Sequence, residues 1–133
     1  SAASDVYKRQ LQKQYINKKF EVMKMIEEIV FNYLKNKLNV PVTFENINEV
    51  EYVLIGKSGS SRFDFTNTAT FFIQSYSSSK YKASLLNEKV KDAMYDLIEL
   101  DEITSLHLNS DYDYTDTTTK KYRYQAVFDI GYF

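Results

Sequence analysis

The sequence predicts an α+β fold, in which two helices pack on one mainly antiparallel β-sheet. Apolar residues recur every three or four positions in residues 11–38 and again in residues 83–97, which is typical of two amphipathic helices. Residues 63–76 and 121–133 alternate between two sets of side chains, which is typical of strands. In chain order the elements are α-β-β-β-α-β-β, and 133 residues suit a single domain.

The first helix is predicted from an apolar stripe with Lys and Glu on much of the opposite side and no Gly or Pro inside. Pro41 closes it, because proline has no amide proton and favours extended geometry in the residue before it. The domain is assigned to residues 11–133. Residues 1–10 are either a non-native or disordered extension that resembles translated adapter sequence, or a polar first turn capped by Ser4. The stripe consists of Leu11, Tyr15, Val22, Ile26, Ile29, Val30, Tyr33 and Leu38.

Three strands are predicted before the second helix. Residues 42–44 form a short strand, and residues 51–55 form a buried strand because they are β-branched and aromatic. Residues 56–61 hold two of the three glycines, which predicts a flexible loop. The third strand, residues 63–76, is predicted to carry Phe65, Asn67, Ala69, Phe71 and Ile73 on one face and Thr66, Thr68, Thr70, Phe72 and Gln74 on the other.

A helix and two strands are predicted in the rest of the chain. The three serines of residues 77–79 supply an N-cap for the helix. Residues 103–109 favour a strand, residues 110–119 a polar loop and residues 121–133 a last strand. The helical stripe consists of Leu86, Val90, Ala93, Met94 and Leu97.

Several classes of chemistry are excluded by composition. The chain has no cysteine, which excludes disulfides, thiolate nucleophiles and cysteine-ligated metals. His107 is the only histidine, so one chain cannot form a multi-histidine metal site. A formal net charge of −1 argues against a dedicated nucleic-acid binder, and no apolar run is long enough for a membrane helix. We therefore expect no cofactor, no bound metal and no membrane partner.

The charge is unevenly distributed along the chain. Residues 1–40 carry eight Lys or Arg against four acids, and residues 41–133 carry nine against fourteen. Residues 96–116 contain seven acids and no Lys or Arg. A basic end and an acidic end suit head-to-tail contact between copies, although two solvated faces would give the same pattern.

An acidic run in the predicted loop allows two interpretations. Asp111, Asp113 and Asp116 have a D-x-D-x-x-D spacing that could hold a hard cation. The run lacks the central Gly of a calcium loop, and Tyr122 stands where the bidentate Glu should be. A solvated hairpin tip, or one that contacts a partner, is therefore favoured.

Other local motifs are weaker. His107 could combine with a neighbouring acid and Ser110, but no Gly-rich nucleophile turn accompanies it. The glycine-containing run at residues 56–61 is followed by a strand rather than a helix, which argues against a phosphate loop. Residues 120–124 interleave Lys, Arg and Tyr and could stack bases, but Arg123 should point away from its neighbouring tyrosines in a strand.

The aromatic content exceeds what one small core needs, with 12 Tyr and 9 Phe. Phe72, Tyr76 and Phe133 fall on the second face of their predicted strands, opposite the face assigned to the core. Aromatic side chains are enriched where protein surfaces associate. We interpret these residues as surface that is buried against other copies of the chain.

Five sequence features, in chain order, form the basis of a resemblance to a known protein family. An amphipathic helix ends in a Val-Pro-Val step at residues 40–42, and a Tyr-Val-Leu-Ile-Gly strand follows at residues 52–56. A long strand then holds Thr68, Thr70, Ile73 and Tyr76, and the helix at 83–97 and the strand at 122–133 complete the set. This pattern resembles the tail-terminator (tail-completion) proteins of long-tailed bacteriophages across residues 20–133. The Lys-rich first helix and the acidic residues 96–116 depart from it.

The resemblance implies a structural virion protein of the tail or neck, assembled in the host cytoplasm and without catalytic activity. Copies would form a ring, commonly a hexamer, with sheets toward the lumen and helices outside. The ring would cap the tail tube protein, end its polymerisation and receive the head–tail connector or stopper protein. Genomic DNA would pass through the lumen without sequence-specific contacts. The alternatives are another neck component, such as a head-completion or joining protein, a tail component of a secretion system of the type-VI kind, and a small cytosolic enzyme that uses His107.

Two sets of contact residues are predicted. The first lies in or beside the loops at residues 56–62 and 110–119 and would touch the tube or the connector. The second is an inter-subunit surface, on which the basic helix of one copy meets the acidic region of the next. The loop set is Lys57, Ser58, Ser60, Arg62, Asp111, Asp113, Asp116 and Lys120. The inter-subunit set is Lys18, Lys19, Phe72, Tyr76, Asp101, Glu102 and Phe133.

Overall fold

The computed structural model describes the backbone of residues 2–63 and 65–133 and the side chains of residues 3–13, 26–63 and 65–133. The predicted α+β class and mainly antiparallel sheet are confirmed. A short 3-10 helix makes a third helix and changes the predicted order in this detail. The elements are α1 (Ala2–Lys37), β1 (Val42–Thr43), β2 (Tyr52–Phe63), β3 (Thr66–Ser77), α2 (Lys80–Asp96), the 3-10 helix (Leu97–Glu99), β4 (Ile103–Asp113) and β5 (Tyr122–Tyr132).

The strands form one sheet in the order β1-β2-β3-β5-β4. β1 runs parallel to β2, and the other neighbours are antiparallel. β3 and β5 pair from Asn67 with Tyr132 to Ser77 with Tyr122. Because side chains alternate along a strand, this central pair sets the two faces of the whole sheet. The face that packs on α1 and α2, the helix face, carries Val53, Ile55, Ala69, Phe71, Ile73, Ala126, Phe128, Ile130 and Tyr132.

Both helices bury one stripe against the helix face. Among the described side chains of α1, the buried ones are Ile26, Val30 and Leu34, which are spaced by one helical turn. Leu11, predicted for the same stripe, is instead 48% exposed, and the side chains of Tyr15 and Val22 lie outside the described residues. In the second stripe all five predicted residues, from Leu86 to Leu97, are buried. Burying one such aliphatic side chain contributes about 1.5–3 kcal/mol.

β2 is much longer than the sequence predicts. The predicted loop at residues 56–61 lies inside it, because β3 pairs with β2 as far as Phe63 and Thr66. β4 likewise extends to Asp113, so the predicted loop at 110–119 starts as strand. β3 begins at Thr66, and Phe65 lies outside it with 88% of its surface exposed rather than on the buried face.

Register shifts interrupt β2 and β4, the two strands that flank the central β3–β5 pair. In β2 the shift lies between Lys57 and Gly59. β1 pairs with β2 only as far as Leu54, so one side of β2 has no neighbouring strand from about Ile55 onward. In β4, the edge strand, shifts lie between Ile103 and Ser105 and between Leu108 and Ser110. Such bulges bend a strand and increase its local twist.

A second, smaller cluster lies on the opposite face of the sheet, which we call the outer face. Tyr52 and Tyr76 stack with their ring centroids 4.4 Å apart. They are buried together with Leu54, and Ile47 from the β1–β2 connection and Phe72 pack against them. Burial of the Tyr52 hydroxyl raises its pKa, with the neighbouring Tyr76 acting in the same direction. The connection between β1 and β2 therefore covers one end of the outer face.

Candidate functional site

Uncharged polar side chains joined by hydrogen bonds cover much of the outer face. The pairing register places on it Tyr52 and Leu54 from β2, Thr70, Phe72, Gln74 and Tyr76 from β3, His107 and Tyr112 from β4, and Arg123, Gln125, Val127 and Asp129 from β5. Among the described outer-face residues of β3, β4 and β5, Arg123 and Asp129 carry the formal charges. The face is therefore close to neutral.

The hydrogen bonds of the outer face cross from strand to strand. Gln74 donates to the Gln125 side chain at 2.9 Å, and Gln125 donates to the Tyr112 hydroxyl. The Asp129 carboxylate accepts from the Thr70 hydroxyl at 2.7 Å and from Asn109 at 3.1 Å. Polar side chains joined in this way restrict one another's positions, so the face is a preformed surface.

Arg123 is held between two tyrosine rings at one end of the outer face. Its guanidinium carbon lies 4.4 Å from the Tyr114 ring centroid and 5.7 Å from that of Tyr76. The guanidinium also donates to the Tyr114 carbonyl at 2.7 Å and to the Tyr76 hydroxyl at 2.8 Å. Arg123 does point away from Tyr122 and Tyr124, but sequence spacing gave no sign of Tyr114, which comes from the loop before β5. The arginine is committed to internal contacts rather than to a ligand.

The three carboxylates of the acidic run point to different partners. Asp111 binds the Lys91 ammonium at 2.5 Å, and this hydrogen bond is the main cause of the raised pKa of Lys91. Asp113 pairs with Lys80 at 3.0 Å, and Asp116 accepts from turn amides. Among the described side chains, those of residues 3–13, 26–63 and 65–133, no group of three potential ligands could hold a metal ion. Asp111 and Asp113 thus join β4 to α2, and Asp116 stabilises the turn before β5.

The predicted loop contacts on β2 lie along a strand instead. The Lys57 ammonium binds Glu27 of α1 at 2.9 Å on the helix side of the sheet. Ser58, Ser60 and Arg62 are exposed on the part of β2 that pairs with β3 alone. Lys120 is exposed with a positive φ of 55°, in the turn that leads into β5.

The residues predicted for an inter-subunit surface fall in different places. Tyr76 is 3% exposed, so it has almost no surface to offer a neighbour, because Tyr52 and Arg123 cover it. Phe72 is half-buried against the same cluster. The side chains of Lys18 and Lys19 lie outside the described residues. Asp101 and Glu102 are exposed, and the Phe133 amide donates to the Glu102 carbonyl, so these two acids and Phe133 share one end of the sheet.

His107 is exposed on the outer face opposite Asp129. The Asp129 carboxylate is already bonded to Thr70 and Asn109, and His107 lines neither of the two described cavities.

Three exposed phenylalanines mark one end of the sheet, a feature that we call the phenylalanine tip. Phe63 is 78% exposed, Phe65 88% and Phe133 71%. Phe63 and Phe65 stand at the β2–β3 hairpin, and Phe133 follows Tyr132, whose partner on β3 is Asn67. Phe65 has a φ of 68°, a left-handed conformation that costs a bulky residue about 1–2 kcal/mol. Sequence reasoning placed Phe133 on a surface but missed Phe63 and Phe65, because the alternation pattern assigned Phe65 to the buried face.

A cavity of about 460 Å³, the end pocket, lies at the opposite end of the sheet. The β1–β2 connection, the end of β3 and the start of β5 form its walls. Its apolar lining comes from Ile47, Val50, Tyr52, Tyr76 and Tyr122, and its polar lining includes Lys120, Lys121 and Glu49. A second cavity of about 410 Å³ lies between the end of α1 and α2 and is lined by both acids and lysines.

No helix within the described chain is both long and apolar enough to span a membrane. Comparison with known proteins finds neither a family model nor a curated sequence that matches this chain.

Proposed function

We propose that the protein is a structural subunit of a phage tail, whose copies form a ring that caps the tail tube, ends tube polymerisation and receives the head–tail connector. The proposal rests on the resemblance of residues 20–133 to tail-terminator proteins. The observation that carries it is the contrast between the two faces of the sheet. One face is sealed by helices, and the other presents fixed, nearly neutral polar side chains.

A near-neutral outer face suits the wall of a channel for DNA. A protein that binds DNA neutralises many phosphates with Lys and Arg, and its affinity rises with each contact. On this face the formal charges of β3, β4 and β5 are Arg123 and Asp129, and both are bonded to neighbours. Such a wall gives DNA no array of cations to hold it, so the duplex could slide past.

A ring also needs surface for contact between copies. Heterologous contacts use two different patches on each subunit and close into a ring when the rotation permits. The phenylalanine tip and the end pocket are different surfaces at opposite ends of the sheet. Each copy therefore has two different surfaces with which it could contact two neighbouring copies.

The first test is the mass of the native assembly. Sedimentation velocity and native mass spectrometry of the purified chain should give a closed ring of about six copies, which negative-stain microscopy should show with a central hole. A chain that stays monomeric at every concentration, with or without tube protein, would count against the proposal.

The second test separates a terminator from another neck component. Deleting the gene in its phage should give over-long tails that fail to join heads, and supplying the intact chain should restore normal tails. A lost head-completion or joining protein would instead give free tails of normal length and leaking heads, and this result would favour the alternative.

We propose that the β4–β5 connection contacts the tube or the connector. Residues 56–62, the other predicted loop, belong to β2, so deleting them would remove strand pairing along with any contact. Changing Thr117 and Thr118 to Ala, both exposed, tests the connection more cleanly. We expect normal ring mass and poor joining of tails to heads; normal phage yield would remove this assignment.

A further inference from the structure

The phenylalanine tip is too exposed to be explained by the fold of one chain. Phe63, Phe65 and Phe133 expose between 71% and 88% of their surface, although aromatic side chains stabilise a protein most when buried. Phe65 is held in a left-handed conformation that aromatic residues rarely adopt. Large exposed apolar side chains grouped at one end of a folded protein commonly mark an interaction site.

A surface that could receive this tip lies on the same molecule. The end pocket has a volume of about 460 Å³ and a partly apolar lining. Its rim residue Val50 is 65% exposed, and Ile47 and Tyr122, which also line it, are partly exposed. β3 has 12 residues and runs from the tip to the pocket, so the two are separated by about 35 Å. One copy cannot fill its own pocket across that distance.

We propose that the phenylalanine tip of one copy inserts into the end pocket of the next copy. The occupant of the pocket is thus a second molecule of this chain, and the contact is heterologous. Aromatic anchors seated in a pocket are the usual centres of binding energy at protein interfaces. The proposal deepens the ring described above and rests on that proposed function for its biological role.

The charges around the two surfaces favour this pairing. Asp101 and Glu102 are exposed beside Phe133, and Lys120 and Lys121 are exposed at the pocket. Arg62 at the tip and Glu49 at the pocket carry charges opposite to those of their neighbours. They reduce the charge difference, but among these residues acids still outnumber bases at the tip and bases outnumber acids at the pocket. Complementary rims guide association and fix register more than they add affinity.

The test compares three variants of the full chain. The tip variant is F63S/F133S, and the pocket variant is V50D/K121E, which avoids Lys120 because of its positive φ. The control is Tyr81→Ser on α2, since Tyr81 is 71% exposed, as Phe133 is. Circular dichroism and urea unfolding establish that each variant is folded. We expect the tip and pocket variants to need about thirtyfold higher concentration to associate in sedimentation velocity, and the control to behave as the original chain.

Mixing the two defective variants gives the sharper result. The pocket variant keeps an intact tip and the tip variant keeps an intact pocket, so a 1:1 mixture should form heterodimers and stop at two copies. A two-fold contact of tip against tip would gain nothing from the mixture, because only one of its two tips would be intact. Native mass spectrometry with one variant isotopically labelled distinguishes these results.

Failure of this contact can be told apart from failure of the ring function. Rings that persist in both variants would overturn the contact and leave the proposed function standing. Chains that need the tip and the pocket but never close or cap tubes would support the contact and count against the function. An original chain that is monomeric throughout, or a mixture that does not pair, would overturn the contact.

Discussion

Gly56 shows how one missing side chain shapes the outer face. A Cβ atom added at this position would lie 2.0 Å from the Phe72 ring, which crosses over the glycine. Phe72 packs against the buried Tyr52 and Tyr76 pair, so the ring cannot move away without loosening that cluster. The glycine is explained by this close approach rather than by a turn.

Gly56→Ala should therefore destabilise the protein by about 1–3 kcal/mol, the usual cost of overpacking. Urea unfolding measures the change in the free energy of unfolding. Gly59→Ala is the matched control, because the same strand offers open space around Gly59 and the change should stay within about 1 kcal/mol. Equal effects at the two positions would contradict the explanation.

The Asp113 carboxyl makes the free energy of unfolding depend on pH in the acidic range. The pKa of its carboxyl is lowered first by the Thr115 hydroxyl, then by the Thr115 amide and by Lys80. Because the pKa is lower in the folded state, this contribution is present above the unfolded value of about 3.9 and is lost as pH falls through the folded value.

Asp113→Asn should remove that part of the pH dependence. Urea midpoints of the original chain and the variant should differ above about pH 4 and converge below it. Curves that stay parallel into strong acid would contradict this role of Asp113.

At the scale of elements, sequence pattern predicted helices better than strand ends. The stripe of the second helix is confirmed because four-residue spacing is a local property, and its first helical residues follow a serine cap. The end of β2 could not be predicted in the same way. Gly and Ser disfavour strands, but pairing with β3 overrides that local preference.

The N-cap of α2 allows a direct measurement. The Ser79 hydroxyl accepts from the Lys82 amide at 3.1 Å. Ser79→Ala should lower the free energy of unfolding by about 1 kcal/mol, because that amide loses its partner. Ser78→Ala, one residue earlier and exposed, should change it by less than about 0.5 kcal/mol. Equal losses in the two variants would argue against the cap.

At the scale of the whole molecule, contacts distant in sequence explain what pattern could not predict. Alternation correctly placed Phe72 and Tyr76 on the face opposite the core. It could not show that Ile47, from a connection with no periodicity, would help to bury Tyr76. It also assigned Phe65 to a strand, whereas the chain turns there and exposes the ring. Exposed aromatic surface is therefore found at the phenylalanine tip, and not at Tyr76, which was predicted to contact a neighbouring copy.

The uneven charge of the chain predicts that self-association depends on salt. A basic first helix that meets the acidic region of a neighbour, or the lysine rim of the end pocket that meets Asp101 and Glu102, would be weakened by screening. Sedimentation in low and high salt should show assemblies that lose mass as salt rises. A mass that is the same in both would remove the electrostatic part and leave the apolar contacts.

The register shifts in β2 and β4 bear on a hazard that every open sheet faces. A long, flat edge exposes unpaired amides and carbonyls that can template strands from other chains and start amyloid-like aggregation. The bulges at Lys57–Gly59 and at the two ends of residues 105–108 break those edges into short, twisted pieces. These interruptions therefore make edge-to-edge pairing between the sheets of separate copies less favourable.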